Sequence, residues 1–177
     1  QNLQNQRADF IRNFFSTVQI VMAGNDSQGL RYGTIETPAK YYLNWKEENP
    51  DFDAKLHDRS QRYLSSSNCG LANNLLDCAL LRLCNKQRFL EILHDFIVFD
   101  SGAKKLCRHN QYFGVKAAQQ RVRDKQNGII WHTQGSGKSL TMVWLAKWIR
   151  ENIADARALI ITDRTELDEQ IEKVFTG

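Results

Sequence analysis

The stretch that most limits how this chain can fold is Gly128–Ser139, Gly-Ile-Ile-Trp-His-Thr-Gln-Gly-Ser-Gly-Lys-Ser. Ile129–Trp131 is a short apolar run, and it predicts a buried strand over 129–132. A glycine-bearing loop over 133–137 follows, then Lys138-Ser139 and an amphipathic helix over 138–152. Strand, glycine-rich loop, Lys-Ser and helix is the order of a phosphate-binding P-loop. Gly135 and Gly137 allow the tight turn that aims backbone N–H groups at an anion. The helix directs its positive end at the same point. Lys138 would reach the β- and γ-phosphates of a nucleotide, and the Ser139 hydroxyl would hold its Mg²⁺. The chain departs from the general pattern at one position, where His132 stands five residues before Gly137 in place of glycine.

The segments around this loop predict a parallel α/β arrangement. Residues 158–162 predict a second strand and 165–175 a further helix. In the 138–152 helix the expected buried stripe is Met142, Leu145, Ala146 and Ile149, continuing to Ile153. A helical crossover of this length suits two parallel strands. Residues 103–177 therefore read as the start of a doubly wound α/β domain, with its ligand at the carboxyl ends of the strands. A further helix is expected over 106–123, beginning near Arg108.

Upstream the pattern differs. Residues 8–15 suggest a short helix, and Thr17–Ala23 alternates as a half-buried strand with Val18, Ile20 and Met22 on one face. A turn cluster over 24–29 leads to a second strand at 30–35, which makes a hairpin with a longer loop. Thr37-Pro38 predicts a capped helix through about Trp45. Residues 47–67 are polar and irregular and read as a linker or loop. Leu71, Leu75, Ala79 and Leu83 keep helical spacing, and after Asn85 so do Phe89, Leu90, Leu93, Ile97 and Val98. The two helices read as a packed spacer that Gly102 ends.

Composition excludes several classes. No apolar run approaches the roughly 18 residues of a membrane-spanning helix. The polar start Gln1-Asn2-Leu3-Gln4 carries no secretory leader pattern. Without an initiator Met, and stopping at Gly177 just after a predicted helix, the sequence reads as a piece of something longer. Cys69, Cys78, Cys84 and Cys107 lack metal-ligand spacing and read as thiols in a reducing compartment. The net charge of +4 is uneven: residues 1–100 carry 11 Lys/Arg against 12 Asp/Glu, and residues 101–177 carry 13 against 8. The excess gathers in 104–125, which reads either as a polyanion contact or as a solvated helix face.

Two further groups surround the loop. Gln111 is placed to bond an adenine edge as both acceptor and donor, with Arg108 three residues earlier; the plainer alternative is a surface glutamine. Thr162-Asp163-Arg164 ends the second predicted strand, where Arg164 would meet a phosphate or a DNA backbone. The alternative there is an Asp163 helix cap beside a surface arginine.

Residues 129–142 resemble helicase motif I, and Leu159–Asp168 resembles motif Ia. Arg108-His109-Asn110-Gln111-Tyr112-Phe113 is similar to an adenine-reading Q-motif. Together these resemble the motor (R) subunits of type I restriction enzymes, within superfamily two helicases. Arg31–Ile35 and Trp45-Lys46 resemble the tail of that family's nuclease domain.

The resemblance implies an α/β fold: the start of a RecA-like domain with a parallel sheet over 103–177, a helical spacer over 61–102, and an α+β nuclease tail over 1–60. It implies a cytoplasmic bacterial or archaeal DNA translocase and endonuclease that uses ATP and Mg²⁺. Its expected partners are double-stranded DNA and the methylation and specificity subunits. It places nucleotide contacts at Arg108, Gln111, Thr133, Gln134, Gly135, Ser136, Gly137, Lys138 and Ser139, with Lys138 catalytic, Ser139 on Mg²⁺, and Asp163 and Arg164 on DNA. An acidic Mg²⁺-holding box, an arginine finger and the nuclease carboxylates are expected elsewhere in a longer chain. Asp51-Phe52-Asp53-Ala54-Lys55 imitates a nuclease carboxylate set, but its two acids lie too close together in a polar loop. Two other readings remain: a P-loop ATPase of another type, and a docking segment whose loop is structural.

Overall fold

A computed structural model describes residues 6, 11–47, 74–100 and 102–161. The chain divides into two compact units, Gln1–Leu90 and Glu91–Gly177.

In the first unit, helix α1 (Arg12–Thr17) precedes an antiparallel sheet in the order β1 (Val21–Asn25), β2 (Gly29–Gly33), β3 (Leu43–Asn44). The expected hairpin forms, but β1 starts later than predicted and the loop is short. Asn25 pairs with Gly29, leaving only Asp26–Gln28 to turn. Two local devices permit this. The Gln28 N–H donates to Asn25 Oδ1 at 2.7 Å, and Gly29 takes φ +74°, the left-handed value a three-residue loop needs at its end. The helix expected from Pro38 to Trp45 is absent. A single 3-10 turn, Ala39–Tyr41, gives way to β3. Thr37 caps no helix; its hydroxyl accepts the Thr34 N–H and closes a local turn. Tyr42, Trp45 and Glu47 are buried while Asn44 and Lys46 are exposed, so sheet pairing outweighed the helical signal.

Helix α2 (Leu75–Leu83) packs on this sheet, capped by Asn74, whose Oδ1 accepts the Asp77 N–H at 2.8 Å. Gly24 permits the contact, since a Cβ there would lie 2.6 Å from Leu76 Cδ1. Helix α3 (Lys86–Asp95) follows. Glu47, expected to begin a linker, is instead buried. It accepts from Arg88 Nη1 and Nη2, at 2.7 and 3.0 Å, and from the Trp45 indole N–H at 3.1 Å.

The second unit corrects the end of the second predicted helix. Ile97 and Val98 are not helical; they lie in β4 (Ile97–Asp100), paired antiparallel with β5 (Ala103–Leu106) around Gly102 at φ +77°. Branched side chains suit a pleated strand better than a helix end. Helix α4 (His109–Arg123) and helix α5 (Lys138–Asn152) pack together. Phe96 joins them, its ring 5.0 Å from Tyr112 and 5.9 Å from Trp144. Ile92 and Phe96 are fully buried, each contributing about 1.5–3 kcal/mol of apolar burial. The buried face of α5 is Thr141, Val143, Trp144, Ala146 and Trp148, whereas Met142, Leu145, Ile149 and Ile153 are only half-buried. The predicted stripe was therefore displaced toward the tryptophans.

The two predicted parallel strands do not form among the described residues. Residues 129–132 and 158–161 carry no ladder, and Ile129, Trp131, Leu159 and Ile161 are 83–90% exposed. The two sheets seen are small and antiparallel. Strand geometry without a neighbouring strand leaves backbone groups to water. Residue 162 and the helix expected over 165–175 lie outside the described residues, as do 7–10 and 48–73.

Candidate phosphate-binding site

The predicted loop is built as the glycine spacing requires. Gly135 and Gly137 adopt φ +73° and +81°, and a Cβ on Gly135 would meet nothing within 4 Å. Gly137 caps α5 without any side-chain cap, so the helix presents its first N–H groups at the loop. The turn is closed from within: Ser136 donates to the Thr133 carbonyl from its N–H at 3.3 Å and from its hydroxyl at 2.7 Å. Ser136 is buried, whereas Thr133, Gln134 and Gly135 are exposed. Lys138 begins α5, and its ammonium donates to the Thr133 and His132 carbonyls at 3.1 and 3.5 Å. A cation sitting over loop carbonyls beside a helix N-terminus that lacks a side-chain cap among the described residues is suited to an anionic ligand. Ser139, next in α5, is half-buried.

Gln111 is brought to the loop, though not as a free base-reading amide. It is 2% exposed. Its Nε2 donates to the Ser136 and Gly137 carbonyls at 3.1 and 2.9 Å. Its Oε1 accepts the Arg108 N–H at 2.8 Å, so it also caps α4. Gly137 is glycine for a second reason: a Cβ there would overlap the Gln111 amide nitrogen. Its carbonyl further accepts the Thr141 N–H and hydroxyl at 3.2 and 3.3 Å. Arg108 is exposed at the N-cap of α4.

Sequence reasoning missed how α4 and the loop fit together. Extended residues 129–132 alternate, with Ile130 and His132 toward Gly114 of α4 and Ile129 and Trp131 outward. A glycine in mid-helix was the available signal.

Several side chains of the basic stretch are engaged within the protein. Lys105 pairs with Asp100, Lys116 with Glu91 at 3.0 Å, and Arg121 donates to Gln126 at 2.6 Å. Arg123 lies over the Trp148 ring at 4.9 Å. Tyr112 also donates to Glu91, at 2.6 Å. These contacts favour the structural alternative for those side chains. Asp163, Arg164 and the Asp51–Lys55 imitation lie outside the described residues. Among the described residues, no group of three or more His, Cys, Asp or Glu is placed to hold a metal ion. No described helix is long and apolar enough to cross a membrane.

Residues 110–177 match the family model for SWI2/SNF2 ATPases. The chain is 36% identical over 173 residues to a protein of Methanocaldococcus jannaschii, provisionally named the type I restriction enzyme MjaIXP endonuclease subunit; the match covers 89% of this chain and 16% of that protein. It is 29% identical over 164 residues to the type I restriction enzyme HindI endonuclease subunit of Haemophilus influenzae, covering 83% of this chain and 14% of the relative. A Staphylococcus aureus endonuclease subunit is 35% identical over 69 residues, or 38% of this chain and 7% of the relative. The chain thus spans about a sixth of the length of the first relatives it matches. The resemblance read from the motifs extends along most of the sequence: this chain is similar to the endonuclease subunits of type I restriction enzymes, and its C-terminal part matches the SWI2/SNF2 ATPase family.

Proposed function

We propose that this chain supplies one wall of the ATP site in a type I restriction endonuclease subunit, where ATP hydrolysis drives DNA translocation before cleavage. The observation that carries this reading is the loop itself. Two left-handed glycines, an uncapped helix N-terminus and Lys138 converge on one exposed turn. Lys138 would exchange its two carbonyl partners for the β- and γ-phosphates, and the Ser139 hydroxyl would take Mg²⁺. Bound ATP–Mg²⁺ supplies the phosphoanhydride whose hydrolysis powers the motor. Thr133, Gln134 and Gly135, exposed at the tip, would offer backbone N–H groups to the phosphates. Arg108 and Gln111 stand at the N-terminus of α4 beside the loop, on the side proposed for the base. Asp163 and Arg164 would contact DNA just beyond the second apolar segment. Double-stranded DNA and the methylation and specificity subunits are the proposed partners, and the cytoplasm the proposed location.

Titration with a fluorescent ATP analogue and Mg²⁺ tests the reading. The parent chain should bind, and Lys138→Ala should lose binding, because it removes the ammonium proposed to meet the β- and γ-phosphates. Equal binding by Lys138→Ala would remove the P-loop assignment and favour the structural docking segment.

A further inference from the structure

His132 occupies the position that the general loop pattern gives to glycine, and Gly114 occupies the middle of α4, where glycine is a poorer helix former than alanine. The two departures meet in space. A Cβ at position 114 would come within 3.3 Å of both Cε1 and Nε2 of the His132 ring, and within 3.6 Å of Ile130 Cγ2. The ring therefore lies in the gap left by the missing side chain. Among the described residues its buried Nδ1 has no hydrogen-bond partner, and the contact with α4 is one of packing. The backbone of the same residue faces the chemistry: the His132 carbonyl, with that of Thr133, accepts the Lys138 ammonium. One turn earlier on α4, Gln111 holds the far end of the loop through Ser136 and Gly137. One helix thus grips the loop at both ends.

We infer that His132 is a positioning residue. Its ring, seated against the bare backbone of α4 at Gly114, sets the start of the loop and with it the two carbonyls that hold Lys138. The inference rests on the nucleotide reading for its ligand, but the seating itself does not. The loop's tolerance of histidine in place of glycine and the helix's tolerance of glycine in its interior are two halves of one contact.

Thermal unfolding and Mg²⁺–ATP titration of the parent, Gly114→Ala, His132→Ala and the double variant test it. With His132 present, Gly114→Ala should weaken ATP binding about tenfold, because an overpacked contact displaces the loop, and should lower Tm by roughly 4 °C. With His132→Ala present, the same substitution should raise Tm by roughly 4 °C, since the helix gains alanine and nothing is displaced. It should then leave ATP affinity where His132→Ala put it. A Tm gain in both backgrounds, or unchanged ATP affinity on Gly114→Ala alone, would overturn the inference. Should Gly114→Ala fail to fold, recovery in the double variant supports the contact and continued failure overturns it. If no chain binds ATP, the parent included, the nucleotide reading falls, while a reversal of the Tm sign still supports the seating.

Discussion

Gln111 shows how little of a side chain's role is written in its type. Its amide is committed three times over: to Ser136, to Gly137 and to the Arg108 N–H. An adenine edge would have to compete with those bonds. We therefore expect Gln111→Ala to weaken ATP and GTP binding by the same factor, reflecting about 1–3 kcal/mol for buried groups left unpaired. A selective loss of ATP, seen in parallel titrations, would instead give the amide to the base. Gly137→Ala should be more severe, since it forces a left-handed conformation costing about 1–2 kcal/mol and drives a methyl group into the Gln111 amide. Its expected signature is loss of ATP binding together with a lower Tm. The cysteines separate by burial. Cys107 is fully buried, and desolvation pushes its thiol far above the ordinary range, so it stays protonated and unreactive at neutral and mildly alkaline pH. Cys84 is exposed, and partial burial raises its thiol as well. At pH 8 a thiol reagent should label Cys84 in the native protein and reach Cys107 only on unfolding, with mass mapping to identify each site.

Among the elements, the segment just after β3 is tied to α3 by a buried ion pair. Arg88 and Glu47 have side chains only 12% and 5% exposed, and the pair is bidentate. The Arg88 guanidinium also lies over the Trp45 ring at 5.3 Å. Removing Glu47 leaves the buried Arg88 guanidinium without its counter-charge, so Glu47→Leu should cost about 3–5 kcal/mol, measurable as a lower urea midpoint. Replacing both with apolar residues of matched volume should restore much of the loss, which a double-mutant cycle would read directly. The helix expected over Pro38–Trp45 failed in the same neighbourhood. Its first-turn chemistry was sound, but Leu43 and Asn44 found ladder partners in Tyr32 and Arg31. Likewise Ile97 and Val98 continued a helical spacing in the sequence yet pair with Leu106 and Lys105. Spacing over a few residues does not distinguish a helix end from the first residues of a strand.

For the molecule as a whole, the exposed apolar segments carry the clearest physical signal. Trp131 is 90% exposed, whereas Trp45, Trp144 and Trp148 are 1–5% exposed. Acrylamide should quench a distinct fraction of the tryptophan fluorescence, and Trp131→Phe should remove most of that fraction while leaving the Tm nearly unchanged. Strong quenching that survives the substitution would contradict the placement of Trp131. What could be read without the structure was what chain neighbours determine: the glycine conformations of the loop, the start of α5 at Lys138, the hairpin near Asn25–Gly29 and α4 starting close to Arg108. These depend on sterics and caps within a few residues. The partner of Gln111 lies 25 and 26 residues away, that of Glu47 lies 41 away, and β4 is a strand because β5 is beside it. Whether an apolar run becomes a strand depends on a neighbour that accepts its hydrogen bonds, and which face of a helix is buried depends on what packs against it. Those choices belong to the tertiary structure, because hydrogen bonds and apolar burial are satisfied between segments that the sequence alone does not bring together.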